Sequence, residues 1–190
     1  MERLVGKRKK RACLIGCGLI GAVSLVFLFP IWQVAIDAWE AGFFEKVEQG
    51  EYNGTSMENM KALYQATMLY YESEGAMPHA AGWMDAAKTY VKTADLLERE
   101  EMKKFVNPNV PAGPGVFGYA MNSELSEAYL DELEDPARTP MIFDSADTSW
   151  NAHGLPSEIA PDPELPGGNR AVTVEGNVTE LRKLLDKDAE

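Results

Sequence analysis

The chain has 190 residues and a net charge of −12, with 18 Lys and Arg against 30 Asp and Glu, and these charges are unevenly placed. Six of the basic residues lie within the first eleven positions, whereas residues 12–190 carry 12 basic and 29 acidic side chains, a net charge of −17. An acidic body of this kind repels nucleic acid, which excludes nucleic acid as a partner, while the basic head suits an anionic membrane surface. Both cysteines, Cys13 and Cys17, lie before residue 37, so residues 37–190 need a hydrophobic core rather than disulfides.

Residues 12–36 form an uncharged, mostly apolar stretch of 25 residues. At about 1.5 Å per residue, a helix of this length crosses a bilayer core of about 30 Å. The basic head (residues 1–11) and the acids that follow the stretch predict a single-pass transmembrane helix with its N-terminus in the cytoplasm. The residues expected to anchor it in the lipid bilayer are Leu14, Ile20, Val26, Phe29 and Trp32.

Three other interpretations of this region each lack a feature that they require. Residues 14–17 (LIGC) have the composition of a lipoprotein cleavage site, but the apolar region follows them instead of preceding them. A cleaved signal peptide has a shorter apolar core than this stretch, followed by small residues at its cleavage site. Gly16, Gly18 and Gly21 form a literal GxGxxG, but the residues after them lack the polar helix face that a dinucleotide fold needs. The pattern therefore favours the membrane helix, with small residues on one of its faces.

Residues 37–56 continue as a helical stalk and linker, and residues 57–190 are predicted to form one extracytoplasmic domain. Thr55 and Glu58 have the spacing of a capping box, which predicts a helix start at Thr55. Methionine and aromatic residues then recur at helical spacing, which predicts a buried face, and Gly75 and Pro78 end the helix.

The rest of the domain is predicted to contain short helices followed by strands. Helices are expected at 83–92, 95–105 and 123–134, strands at 115–122 and 140–144, and a hairpin at 171–181 that turns near 175–176. Residues 147–168, rich in Pro and Gly, are predicted to be a loop. Helices followed by strands indicate an α+β fold, with helices packed on a small antiparallel sheet.

Several short patches of the sequence resemble, in the same order, the bacterial prepilin-like proteins that carry a C-terminal H-X9-DG motif. The patches are FLFPIW (27–32), NMKAL (59–63), YYESEGAMP (70–78), WMDA (83–86), YV (90–91), GYAMN (118–122), TPMIFDS (139–145) and EGNV (175–178). The resemblance implies a pilin-like domain on a membrane helix, in the cytoplasmic (inner) membrane of a bacterium. It also implies that the partners are other pilin-like or secretion-system proteins, or further copies of this chain.

The sequence departs from the pattern of this family at functional positions. Arg8, Lys9 and Cys13 stand where a prepilin has the Gly and Phe of its peptidase site and the glutamate of its mature helix. Leu165 stands near the place of the motif histidine. The resemblance therefore implies a membrane-retained, pseudopilin-like relative that is not processed by the prepilin peptidase.

No catalytic constellation is predicted. His79 and His153 lie in no metal-binding or triad spacing, so no catalytic residue, cofactor or metal ligand is assigned. The prediction is a non-enzymatic structural protein of the cell envelope, of a secretion system or of a pilus-type assembly. The alternative is a membrane-tethered domain that binds calcium or a small cationic ligand. Its candidate ligands are four loop carboxylates, those of Asp144, Asp147, Asp162 and Glu164.

Overall fold

The computed structural model of the protein describes residues 50–94 and 96–186, which belong to one compact unit, Glu48–Glu190. The predicted transmembrane helix and all five of its expected anchor residues lie outside the described residues. Within the part of the chain that the structure describes, no helix is long and apolar enough to cross a membrane.

The domain opens with its longest helix, α1 (Ser56–Glu74), whose predicted capping box is confirmed. Thr55 Oγ1 accepts a hydrogen bond from the backbone N–H of Glu58 at 3.3 Å, and Glu58 Oε2 accepts one from the backbone N–H of Thr55 at 2.7 Å. These bonds satisfy N–H groups that have no partner within the helix. Gly75 ends α1 in the left-handed conformation, with a φ of 82°. The start and end of α1 therefore follow from local sequence.

The remaining helices are α2 (Trp83–Lys88), α3 (Glu98–Glu101), α4 (Pro156–Ile159) and α5 (Leu181–Leu185), with 3-10 turns at Ala80–Gly82, Met102–Phe105, Ser123–Leu125 and Leu130–Glu132. Of these helices, α2 and α3 are shorter than predicted, and α4 lies within residues predicted to be loop. The helix predicted at 123–134 is wrong, because the chain forms two separate 3-10 turns there. Local side-chain bonding explains the interruption: Asn122 Oδ1 accepts from the Glu124 N–H at 3.1 Å, and Ser126 Oγ accepts from the distant Ala80 N–H at 3.0 Å.

Five strands form one sheet in the order β3-β1-β2-β4-β5. The strands are β1 (Tyr119–Asn122), β2 (Pro140–Asp144), β3 (His153–Gly154), β4 (Arg170–Thr173) and β5 (Val178–Glu180). The bounds predicted for the second strand are confirmed, and so is the hairpin, which β4 and β5 form around Gly176.

The predicted fold class is corrected on two points. No membrane-spanning helix is found among the described residues, and the sheet is mixed rather than antiparallel, because β3 pairs with β1 in parallel. β3 lies within residues predicted to be loop. Its position is fixed from outside the sheet: Trp83 Nε1 donates to the Ala152 carbonyl at 2.9 Å, and Asn151 Oδ1 accepts from the Met84 N–H at 2.8 Å. These bonds to α2 place the segment beside β1.

Helices cover both faces of the sheet. α1 and α2 pack on one face and contribute Met60, Leu63, Trp83 and Met84 to the main core. The other face carries a smaller core, whose buried members are Ala120, Phe143, Ala152, Ala171 and Leu181. α4 and α5 pack against each other and close this second face. The domain is therefore layered as helix, sheet and short helices.

Candidate functional site

A groove of about 780 Å³ lies at one end of the sheet. β1 ends at this edge, the antiparallel β2 begins there, and β3 ends there because it runs parallel to β1. The residues that line the groove follow from this geometry: Asn122, Glu124, Glu134, Asp135, Arg138, Thr139, Pro140, Leu155, Pro156, Ser157, Leu184 and Leu185. We call this feature the acidic groove.

The lining of the acidic groove combines apolar side chains with exposed carboxylates. Its apolar members are Pro140, Leu155, Pro156, Leu184 and Leu185. Leu185 is one of the exposed large hydrophobic side chains of the domain, with 40% of its surface accessible. The carboxylates of Glu124, Glu134 and Asp135 are also exposed. The groove therefore offers apolar contact area and negative charge side by side.

Hydrogen bonds between side chains and the backbone hold the walls of the groove in place. The buried Asn122 donates from Nδ2 to the Pro140 carbonyl at 3.0 Å, which ties the end of β1 to the start of β2. Asp135 Oδ1 accepts from the Arg138 N–H at 3.2 Å, and the Asp135 carbonyl accepts from Thr139 Oγ1 at 2.6 Å. Arg138 Nη2 donates to the Asp186 carbonyl at 3.2 Å and so links this loop to the end of α5. The rim is therefore structured rather than a free loop.

The lining of the groove carries more negative charge than positive charge, because it contains three carboxylates and one basic side chain, that of Arg138. Residues 124–135 carry six carboxylates and no Lys or Arg. Among the described residues, no hydrogen bond or ion pair involves the carboxylates of Glu124 and Glu134, whereas Glu51, Glu98 and Glu180 each pair with a lysine. A cation placed at the rim would gain attraction without displacing an existing partner.

A second notable carboxyl group, that of Asp144, is buried at the end of β2 with none of its surface exposed. Its Oδ1 accepts from Asn107 Nδ2 and its Oδ2 from the Arg170 N–H, both at 2.7 Å. Burial raises the pKa of Asp144 to about 6, although these hydrogen bonds and the Arg170 charge favour its ionised form. Asp144 thus joins the Asn107 loop, β2 and β4, and no substrate can reach it.

Two acidic residues of α3 also have structural partners. Buried Glu101 pairs with Lys104 and accepts from Thr93 N and Oγ1, each at 2.6 Å. Burial opposes ionisation of Glu101, but the hydrogen bonds from Lys104 and Thr93 outweigh it and lower the pKa. Glu100 accepts from Lys103 and from the Tyr52 N–H at 2.8 Å, and these bonds lower its pKa as well. Both carboxylates fix the path of the chain around α3.

The residues considered as catalytic or metal-binding are not brought together. His79 caps the turn at Ala80–Gly82 by accepting from the Ala81 N–H at 3.2 Å, and His153 Nδ1 lies 2.9 Å from the Asn151 carbonyl. Across residues 50–94 and 96–186, no group of three or more His, Cys, Asp or Glu side chains has the placement of a metal site. The calcium set of Asp144, Asp147, Asp162 and Glu164 therefore does not assemble. Gly16, Gly18 and Gly21 lie outside the described residues.

A smaller depression of about 450 Å³ lies along α1 and is lined by Tyr64, Gln65, Met68, Leu69 and Glu72. Leu69 is 47% exposed there. Tyr64 is one of the aromatic residues whose helical spacing predicts a buried face, and the structure shows it half-buried, with its hydroxyl donating to the Val174 carbonyl at 3.1 Å. This depression adds an accessible apolar surface to the outer side of α1.

Sequence analysis missed the residues of the acidic groove. The signal in the sequence is the run of acids from Glu124 to Asp135, most of which lie in the helix predicted at 123–134. The apolar partners Leu155, Leu184 and Leu185 come from distant segments, so only the folded chain places them beside those acids. Comparisons of the chain with protein-family models, with curated proteins and with solved structures give no match.

Proposed function

We propose that this chain is a non-enzymatic, membrane-anchored, pilin-like (pseudopilin-like) protein that acts through protein–protein contacts. Its setting is a cell-envelope, secretion or pilus-type assembly in the cytoplasmic membrane, with the folded domain on the extracytoplasmic side. The observation that carries the proposal of protein contacts is the acidic groove, because it is open, partly apolar and formed by ordered backbone.

The form of the groove favours a protein segment over a small molecule. Small-molecule sites bury about 70–90% of their ligand in a concave, mostly apolar pocket. Here the rim carries three exposed carboxylates, and Leu185 stands open to solvent. Extended peptide segments bind surfaces of this kind, because they place side chains of different chemistry along a groove.

Membrane anchoring is supported by the amino-acid sequence. The basic head followed by the 25 uncharged residues 12–36 has the charge asymmetry of a single-pass anchor with a cytoplasmic N-terminus. The test is fractionation of cells that express the full-length protein, followed by an alkaline carbonate wash. The protein is expected to stay in the membrane pellet, and its release into the supernatant would overturn the anchoring proposal.

Protein contact at the groove is tested by site-specific photo-crosslinking in native membranes. A photoreactive residue replaces Ser157, an exposed member of the groove lining, and in a control protein it replaces Lys92, which is exposed on another segment. Discrete cross-linked products are expected from the Ser157 protein only, and mass spectrometry identifies the partner. Absence of products at Ser157, or the same products from both positions, would overturn the proposal.

The second candidate function is binding of a small organic cation, which the carboxylates of Glu124, Glu134 and Asp135 favour. Calorimetric titration of the full-length protein with calcium and with a linear diamine separates these ligands. Heat with the diamine alone, lost in a Glu124→Gln/Glu134→Gln variant, would support this candidate. No heat with either ligand would remove it.

A further inference from the structure

We propose that the acidic groove binds an extended, positively charged segment of a partner protein, in which Lys or Arg residues alternate with apolar residues. This inference rests on the proposed function, and it specifies the chemistry of the partner at the same site.

The charge of the occupant follows from the rim. The carboxylates of Glu124 and Glu134 are exposed and have no ionic or hydrogen-bonding partner within the described residues. A partner with Lys or Arg at these two positions forms ion pairs, and an acidic partner is repelled by the whole run of acids from Glu124 to Asp135. Complementary charge of this kind selects the partner and speeds its association more than it tightens the complex.

The apolar residues of the occupant follow from the other half of the lining. Leu185 is exposed at the end of α5, and the half-buried Leu155 and Leu184 and the buried Pro156 also line the groove. A volume of about 780 Å³ lies within the range of about 300–1,000 Å³ that ligand sites show, which is enough for several side chains. An apolar side chain of the partner buries this surface, and its neighbours on either side reach the carboxylates.

Arg138 also lines the groove, and its guanidinium donates to the Asp186 carbonyl at the end of α5. A cationic side chain of the partner is therefore favoured near Glu124 and Glu134 rather than near Arg138.

Other segments of this chain fit the groove less well. Residues 187–190 (KDAE) follow Asp186 in the sequence, but they carry two acids against one lysine. The basic head, residues 1–11, has suitable charge, but the anchoring proposal places it on the other side of the membrane. A second copy of the domain presents an acidic body of like charge. A separate basic partner remains the occupant that the charges favour.

The test uses the full-length protein in mild detergent and three fluorescent heptapeptides, which alternate lysine with leucine, lysine with serine, and glutamate with leucine. Fluorescence anisotropy is expected to show binding of the lysine–leucine peptide, weaker binding of the lysine–serine peptide and none of the glutamate–leucine peptide. The Glu124→Gln/Glu134→Gln variant is expected to bind the first peptide about fivefold more weakly, as loss of two exposed ion pairs predicts. The matched control, Glu72→Gln/Glu74→Gln, changes the net charge equally at the end of α1 and is expected to bind as the unmodified protein does.

Equal losses in both variants would overturn the inference, because they would show attraction to the overall charge alone.

Two further measurements separate the other occupants. A variant that ends at Asp186 is expected to bind the lysine–leucine peptide with unchanged affinity. A gain in affinity of about tenfold would show that residues 187–190 occupy the groove. Sedimentation is expected to show no self-association that depends on Glu124 and Glu134, and such self-association would identify a second copy as the occupant. Failure of peptide binding while Ser157 still cross-links to a partner would refute only this inference, whereas failure of both would refute the proposed function too.

Discussion

The buried carboxyl group of Asp144 couples the stability of the domain to pH. Burial raises its pKa from 3.8 to about 6, so the folded protein holds this proton more tightly than the unfolded chain does. The contribution of Asp144 to stability is therefore largest below about pH 4 and is lost as the pH rises through about 6. A difference of about two pKa units corresponds to about 3 kcal/mol in the free energy of unfolding.

The perturbation that isolates this effect is Asp144→Asn, which removes the titration and keeps the side-chain shape. Other carboxylates act in the opposite direction: hydrogen bonds from Lys103 and the Tyr52 N–H lower the pKa of Glu100, so its contribution is lost as the pH falls. Subtracting the variant from the unmodified protein cancels such background contributions. The constant cost of placing an amide between two hydrogen-bond donors shifts the difference curve without changing its shape.

The assay is urea unfolding of the full-length protein in mild detergent, carried out on both proteins between about pH 4 and pH 7. This range extends from near the pKa of Asp144 in the unfolded chain to above its pKa in the folded protein. We expect the unmodified protein to lose about 3 kcal/mol relative to Asp144→Asn as the pH rises across this range. A flat difference curve would refute the reasoning, because it would mean that solvent reaches the carboxylate. A curve of opposite sign would show that the bonds from Asn107 and Arg170 dominate over burial.

Two further predictions concern packing, and both are measured by urea unfolding of the full-length protein. Gly176 has a φ of 89°, and a Cβ atom there would lie 3.0 Å from the Tyr64 ring, so Gly176→Ala should destabilise the domain by about 1–3 kcal/mol. Gly167→Ala, at a φ of 91° with open space, should cost less, and an equal cost would contradict the contact with Tyr64. Leu63→Ala should cost about 2–5 kcal/mol because Leu63 is fully buried. Leu69→Ala at a site 47% exposed should change stability by less than about 0.5 kcal/mol, and similar costs would mean that α1 packs through another face.

Elements that depend on neighbouring residues could be predicted from the sequence. Thr55 and Glu58 define the start of α1 because the bonds that cap the helix span only three residues. The strand Pro140–Asp144 has an apolar centre between turn residues, and the hairpin turns at Gly176, the residue with a positive φ. In each of these elements the decisive interactions lie within a few positions along the chain.

Elements that depend on distant residues could not be predicted in this way. β3 is only two residues long, His153–Gly154, and has no periodic pattern of its own. It pairs with β1 because the bonds made by Trp83 and Asn151 fix the preceding loop to α2. The Trp83 bond joins two residues that are 69 positions apart along the chain. Asp144 was predicted to be a loop acid open to a cation, because its sequence neighbours do not reveal that Asn107 and Arg170 enclose it.

The acids of the domain thus fall into two groups with opposite consequences. Among the described residues, no buried side-chain nitrogen or oxygen lacks a hydrogen-bond partner, and the buried carboxylates of Asp144, Glu100 and Glu101 each accept from specific donors. Those acids serve the fold, and a new cation near them would compete with bonds already made. Glu124 and Glu134 have no such donors, yet they stand on ordered backbone beside apolar surface. Of these acidic positions, the rim of the acidic groove is therefore where a cationic partner gains attraction without disturbing the fold.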